Sequence, residues 1–290
     1  MTAASDCGHG PAASQELLAE ASDLVLAYGG HVAMKPSSFS IPARGVTAII
    51  GPNGSGKSTL LNALAGVIAP RSGRLEVLGG PPNQAYRKVA CVMQSIGFPE
   101  GTPITVREAV AMGRYATRGW FGRLGRADRE RVAWAMDLLD VTDLARRHLG
   151  ELSGGQRQRV YVAQGLAQDH VAVLLDEPLT GLDLTSARTI DAIIHGERER
   201  GHGVVLTTHD LDEARAADHV ILMNGHVVAC GPPEVVCTRR NLETAYGLGS
   251  LHDSGEVFLD DPQHEGHSHP AVDALDPAHP ERRPHRHHDH

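Results

Sequence analysis

Aromatic side chains are scarce in this sequence, at 4% of 290 residues. Its core must therefore be built from Leu, Val, Ile and Ala, which suits a buried parallel sheet clad in helices. Long apolar runs are also missing. The longest span about five residues, for example 171–175, against the roughly 20 that a membrane helix needs. If the protein works at a membrane, another chain spans it. No basic segment followed by a long apolar stretch opens the chain, so no signal peptide is expected. The four cysteines, Cys7, Cys91, Cys230 and Cys237, form no CxxC pair, and they read as reduced thiols of a cytosolic protein. Basic residues are in deficit, 27 against 35 acidic ones for a formal charge of −8. The deficit sits at the ends: residues 1–20 carry three acids and no base, and residues 251–290 carry nine acids and three arginines. The body between is close to neutral, which argues against a nucleic-acid partner.

Three regions follow from the texture of the chain. Residues 1–20 are small and polar and read as a disordered lead-in. Residues 21–250 read as one folded domain. Strands are expected at 23–28, 46–50, 75–78, 171–175, 204–208 and 220–223. The turn after 46–50 should open a helix with Leu60, Leu61, Leu64, Val67 and Ile68 on one face. Segments 106–114, 128–139 and 141–148 are helix-periodic and charged, so residues of about 95–165 read as a helical subdomain inserted into a sheet. Alternating strands and helices elsewhere indicate an α/β fold with crossover connections. Residues 251–290 hold nine of the 18 histidines and several prolines, lack apolar periodicity, and read as a disordered acidic tail.

Two motifs carry chemistry. Gly51-Pro-Asn53-Gly54-Ser55-Gly56-Lys57-Ser58-Thr59 matches GxxxxGK[ST], with a strand before it and a helix after it. Its glycines let backbone N–H groups approach phosphate oxygens, and the helix N-terminus adds partial positive charge. Lys57 is expected to reach the β- and γ-phosphates and Ser58 to ligate Mg²⁺. The apolar run 171–175 ends in Asp176-Glu177, at the edge where open α/β sheets bind ligands. Successive strand side chains point to opposite faces, so the two acids should differ in role. Asp176 is placed to hold Mg²⁺, and Glu177 to orient or deprotonate an attacking water.

A second glycine-rich helix start lies at 152–159. Leu152-Ser153-Gly-Gly155-Gln156 offers a capping serine and exposed N–H groups. LSGGQ, the phosphate loop and LLDEP together resemble the nucleotide-binding subunit of an ATP-binding cassette (ABC) transporter. The resemblance spans roughly residues 22–248. It implies a P-loop NTPase fold of RecA-like type, with a mixed sheet core and an inserted helical subdomain. It also implies that Tyr28 stacks on adenine, that Gln94 joins Mg²⁺ and water to the helical subdomain, and that Asp183 signals across a dimer. His209 would contact the γ-phosphate. Read alone, Tyr28 is equally a packing aromatic, Gln94 a solvated loop residue and His209 a structural histidine. In the family two subunits face head to tail, so Ser153, Gly155 and Gln156 would act in trans on ATP bound by the other copy. An ATP-dependent homodimer would then drive a separate membrane permease from the cytoplasmic face. Where many family members carry an arginine after LSGGQ, this chain has Gln164.

The segments 113–132 and 231–247 resemble ATPases of bacterial zinc and manganese importers, which also work with an extracytoplasmic metal-binding protein. The tail adds His264, His267, His269, His285, His287 and His288. Imidazole suits zinc better than manganese. Two readings of the tail stand: a zinc buffer or sensor, or a solvated acidic tail. Zinc import is the first expectation. Manganese or another metal or metal chelate, export, and a non-transport ABC ATPase are the alternatives.

Overall fold

The computed structural model of the chain describes residues 16–93, 103–118 and 123–247. The elements in order are β1 (Leu17–Tyr28), β2 (His31–Pro42), β3 (Gly45–Ile50), α1 (Lys57–Leu64), β4 (Ser72–Val77), α2 (Pro82–Ala85) and β5 (Val89–Val92). There follow α3 (Val106–Met112), α4 (Tyr115–Arg118), α5 (Arg126–Leu138), α6 (Gly154–Ala167), β6 (Ala172–Asp176), α7 (Leu184–Glu199) and β7 (Gly203–Thr207). The last are α8 (Leu211–Ala216), β8 (His219–Met223), β9 (Val227–Gly231), α9 (Pro233–Val236) and α10 (Arg239–Tyr246).

A six-stranded sheet runs in the order β5-β6-β7-β3-β8-β9, and a three-stranded antiparallel sheet in the order β2-β1-β4. The larger sheet is parallel except for β9, which pairs antiparallel to β8. Its strands are apolar on both faces, as burial between two layers requires. Ala48, Ile50, Val173, Leu175, Val204 and Leu206 face the core shared with α3, α5, α6 and α7. Their neighbours Ile49, Leu174 and Val205 face the core shared with α1 and the smaller sheet. β7 lies between β3 and β6, so the phosphate loop after β3 and the acids at the end of β6 are one strand apart.

Several sequence expectations are corrected. β1 starts at Leu17, inside the residues read as a lead-in, because Leu18, Ala19 and Ala21 are buried against β2 and β4. β2, β5 and β9 were not expected. The segment 141–148 forms turns rather than a helix. α1 ends at Leu64, and Val67 is 72% exposed, off the face assigned to it. Gly66 causes the stop: it has φ +75°, and a Cβ there would meet the backbone of Pro82 and Asn83 at 2.9 Å. Cys91 and Cys237 are free thiols, but Cys230 is disulfide-bonded, against the expectation of four reduced cysteines. No helix among the described residues is long and apolar enough to cross a membrane.

Candidate active site

The phosphate loop is shaped by glycines in conformations closed to other residues. Gly51, Gly54 and Gly56 have φ of 151°, 78° and 101°. A Cβ on Gly51 would lie 2.2 Å from the carbonyl oxygen of Met223, and one on Gly56 would lie 2.9 Å from that of Ala33. The loop is thus wedged between β8 and β2. The backbone of Ser55 holds it there, accepting from the Gly225 amide at 3.0 Å. Ser55 Oγ is buried with no hydrogen-bond partner among the described residues. An orphaned hydroxyl inside the loop suits a ligand rich in acceptor oxygens. Asn53 and Gly54 are exposed, and Thr59 is half-buried in the first turn of α1.

Lys57 is buried, and its Nζ donates to the carbonyl of Gly51 at 2.8 Å. Burial pulls its pKa below the ordinary lysine value, while the charges of Glu177 and Asp176 pull it partly back up. The lysine and both acids therefore occupy one electrostatic site. Ser58 Oγ donates to Asp176 Oδ1 at 3.2 Å. These two oxygens, a hydroxyl and a buried carboxylate, are the hard donors that Mg²⁺ takes.

Thr207, at the end of the intervening strand, was missed by sequence reasoning. Its Oγ1 donates to Asp176 Oδ1 at 2.6 Å and accepts from the Glu177 amide at 2.9 Å. Its signal in the sequence is a hydroxyl near the end of the strand read at 204–208, two residues before His209. Glu177 has φ +45°, in the left-handed region that non-glycine residues seldom occupy. The turn carries the chain sharply off β6 and leaves the side chain partly exposed at the strand end. Such strain persists where the surroundings over-determine it, and it clusters at functional sites.

The LSGGQ segment starts α6 as read. Ser153 Oγ accepts from the Gln156 amide at 3.2 Å, and Gln156 Oε1 accepts from the Ser153 amide at 3.1 Å, a reciprocal capping box. Gly155 is buried against the start of α7, where a Cβ would meet Asp183 Oδ2 at 2.4 Å and Ser186 Oγ at 2.6 Å. Asp183 caps α7, accepting from the Ser186 amide at 2.9 Å and hydroxyl at 2.8 Å. Those bonds hold its carboxyl below the usual aspartate range. Gln164 is half-buried in α6, and its carbonyl abuts Gly113, which has no room for a Cβ. Tyr28 is half exposed at the tip of the β1–β2 hairpin, paired with His31, and Ala33 of the same hairpin touches the loop. His209 is exposed just beyond β7. The structure therefore brings Lys57, Ser58, Asp176 and Glu177 together. Gln94 and the tail residues His264, His267, His269, His285, His287 and His288 lie outside the described residues.

Comparison with known proteins agrees with this geometry. The ABC transporter family model matches residues 34–180. A chelated iron transport system membrane protein of Yersinia pestis, YfeB, is 37% identical over 80% of each chain. A manganese transport ATP-binding protein of Listeria monocytogenes, MntB, is 36% identical over 79% of this chain and 95% of its own. A zinc transport ATP-binding protein of Treponema pallidum, TroB, is 36% identical over 78% and 85%. Among solved structures, an inward-facing putative metal-chelate type ABC transporter matches with a TM-score of 0.68 and 29% identity, over 79% of this chain and 88% of that one. With its phosphate loop, paired acids and LSGGQ helix on this sheet, the chain belongs to the ABC transporter family, as an ATP-hydrolysing cassette.

Proposed function

We propose that this cassette powers a metal-ion importer, with zinc as cargo, through a separate membrane permease at the cytoplasmic face of the membrane. The observation that carries the metal reading is the set of relatives: proteins named for manganese, zinc and chelated iron transport are each more than a third identical over most of the chain. The choice of zinc among them rests on the tail, with nine of the chain's 18 histidines. Manganese, or iron as a chelate, is the second reading, favoured by the names of the first two relatives.

In the proposed cycle two copies close on ATP. Tyr28 stacks on the base, and Lys57 and the loop amides from 53 to 59 hold the phosphates. Ser58 and Asp176 would hold Mg²⁺ together with Gln94, and the ion would neutralise charge on the phosphate oxygens. Glu177 accepts the proton of the attacking water, and His209 contacts the γ-phosphate. Ser153, Gly155 and Gln156 of the facing copy complete the site, and Asp183 links the two copies. Residues of about 95–165 touch the permease. An extracytoplasmic metal-binding protein delivers the cargo.

The test is the metal content of cells lacking this chain, complemented with wild type or with Glu177→Gln under metal limitation. A fall in zinc restored by wild type alone supports zinc import. A fall in manganese or iron selects the second reading. Accumulation of a metal reverses the direction of transport, and unchanged metal content overturns the cargo assignment.

A further inference from the structure

At the end of β6 opposite the active-site acids, three side chains converge on one point. His170 lies just before β6, Glu197 in the last turn of α7, and His202 in the turn before β7. Glu197 Oε2 is 2.9 Å from His170 Nε2 and 2.6 Å from His202 Nδ1. One donor atom from each of the three lies within 4.8 Å of the others. The His170 and Glu197 side chains are 0% and 2% exposed, and that of His202 is 27% exposed.

Hydrogen bonding fixes what each atom has to offer. His170 Nδ1 faces the carbonyl oxygen of Gln168 at 2.9 Å. A carbonyl only accepts, so Nδ1 carries the proton. In the neutral ring Nε2 is then a bare lone pair, aimed at a carboxylate oxygen. Two lone pairs at that distance repel unless a proton or a cation lies between them. The carboxylate is also oriented, because Arg200 pairs with Glu197 Oε1 and leaves Oε2 to the imidazoles. A carbonyl behind one imidazole and a guanidinium behind the carboxylate are the outer partners that orient metal ligands. His202 is the member of the three that reaches solvent, which gives an ion an entry path.

We propose that His170, Glu197 and His202 form a binding site for a borderline transition-metal cation of the Zn²⁺ class, with two imidazoles, one carboxylate and water in the fourth position. This site is separate from the Mg²⁺ and nucleotide site and from the tail, and it is expected whatever metal the permease carries. Arg200 beside it, and Arg131, whose charge also reaches Glu197, oppose a dication and keep the affinity below that of an all-anionic cage. A bound ion would tie the base of β6, the end of α7 and the base of β7 together. The other ends of those three elements carry Asp176, Asp183 and Thr207.

The test is titration of the metal-free full-length chain with Co²⁺, followed by visible absorption and by metal retained after desalting. His202→Ala is the matched control, since the tail histidines are the same in both proteins and cancel in the difference. Wild type should retain one more equivalent per chain than His202→Ala and show the absorption of tetrahedral Co²⁺. His202→Cys should keep that equivalent and add a thiolate-to-cobalt charge-transfer band. Equal stoichiometry in wild type and His202→Ala, or no new band in His202→Cys, would overturn the site and leave an imidazolium–carboxylate cluster. Should His202→Ala not fold, the His202→Cys spectrum alone decides.

Discussion

Thr207 and Asp176, on neighbouring parallel strands, are joined side chain to side chain at 2.6 Å, and the same threonine oxygen receives the amide of Glu177 at 2.9 Å. One hydroxyl thus fixes the Asp176 carboxylate and the strained turn at Glu177 together. Thr207 is fully buried, so no water replaces it. Thr207→Val keeps the shape but strips both bonds. It should cost about 1–3 kcal/mol in denaturant unfolding, the penalty of a buried polar group left unpaired. It should also lower ATPase kcat while leaving KM for ATP nearly unchanged, because the loop that grips phosphate is untouched. Thr207→Ser should restore both. Equal loss of kcat in the valine and serine variants would mean that the hydroxyl does not position these acids.

Glu177→Gln removes a proton acceptor and keeps the size of the side chain. A general base contributes about 10²–10⁴-fold to rate, so steady-state ATP hydrolysis should fall by that range. Binding of ATP, read by equilibrium dialysis, should persist, and with ATP present the chain should elute as a dimer on gel filtration. Turnover near the wild-type value would remove Glu177 from the role assigned to it.

The parts of the fold legible in the sequence were those that local chemistry dictates. The phosphate loop, the apolar strand ending at Asp176 and the capped start of α6 at Ser153 each carry their reason within a few residues. β2 was not legible. Its sequence holds Lys35, Pro36 and three serines, yet Met34, Ser37, Phe39 and Ile41 are buried through pairing with β1. That alternation is broken by bulges, and it gains meaning only when the partner strand is known. The segment 141–148 failed in the other direction. Leu144, Ala145 and Val141 are buried with helix-like spacing, but successive turns place them there. The candidate site divides likewise. Lys57, Ser58, Asp176 and Glu177 follow from motif and strand direction, whereas Thr207 reaches Asp176 only because β7 is inserted between β3 and β6. The His170–Glu197–His202 cluster was invisible for the same reason, since its members join only when three chain segments meet.

Neighbouring glycines of LSGGQ should respond very differently to alanine. Around Gly154 nothing lies within 4 Å of an added Cβ, whereas at Gly155 it would strike Asp183 Oδ2 and Ser186 Oγ. Gly155→Ala must displace the cap of α7, and overpacking of this kind costs about 1–3 kcal/mol. Gly154→Ala, in the first turn of a helix, should fold with stability unchanged or slightly raised. Thermal melts of both variants separate the cases. Destabilisation of the Gly154 variant, or a neutral Gly155 variant, would contradict the close approach of α6 to α7.

Asp128 sits at the start of α5 with a side chain that is 0% exposed, bonded to Arg114 Nε at 2.9 Å, Arg118 Nε at 3.1 Å and the Gly125 amide at 2.9 Å. Arg114 in turn reaches the carbonyl of Ala167 at 2.8 Å and Asp169 at 3.0 Å. This network ties α5 to the end of α6. Burial alone would raise the Asp128 carboxyl, but the Gly125 amide and the two guanidinium groups outweigh it and hold the pKa below the ordinary 3.8. A carboxyl depressed in the folded state contributes stability above its unfolded pKa and loses it as pH falls through the folded value. Protection of α5 amides from hydrogen exchange should therefore be steady at neutral pH and fall on acidification below about pH 4. Asp128→Asn removes one of the two carboxylates that Arg114 pairs with and leaves the Asp169 pair in place, and losing a hydrogen bond between charged groups in this way costs about 1.5–3 kcal/mol. That variant should lose α5 protection at neutral pH while β3 and β6 remain protected. The distinction arises because the Arg114 network lies on the helical side of the sheet, and the strands keep their own ladder and the core beneath α1. Equal loss of protection in α5 and β6 would instead mean that the network holds the whole cassette.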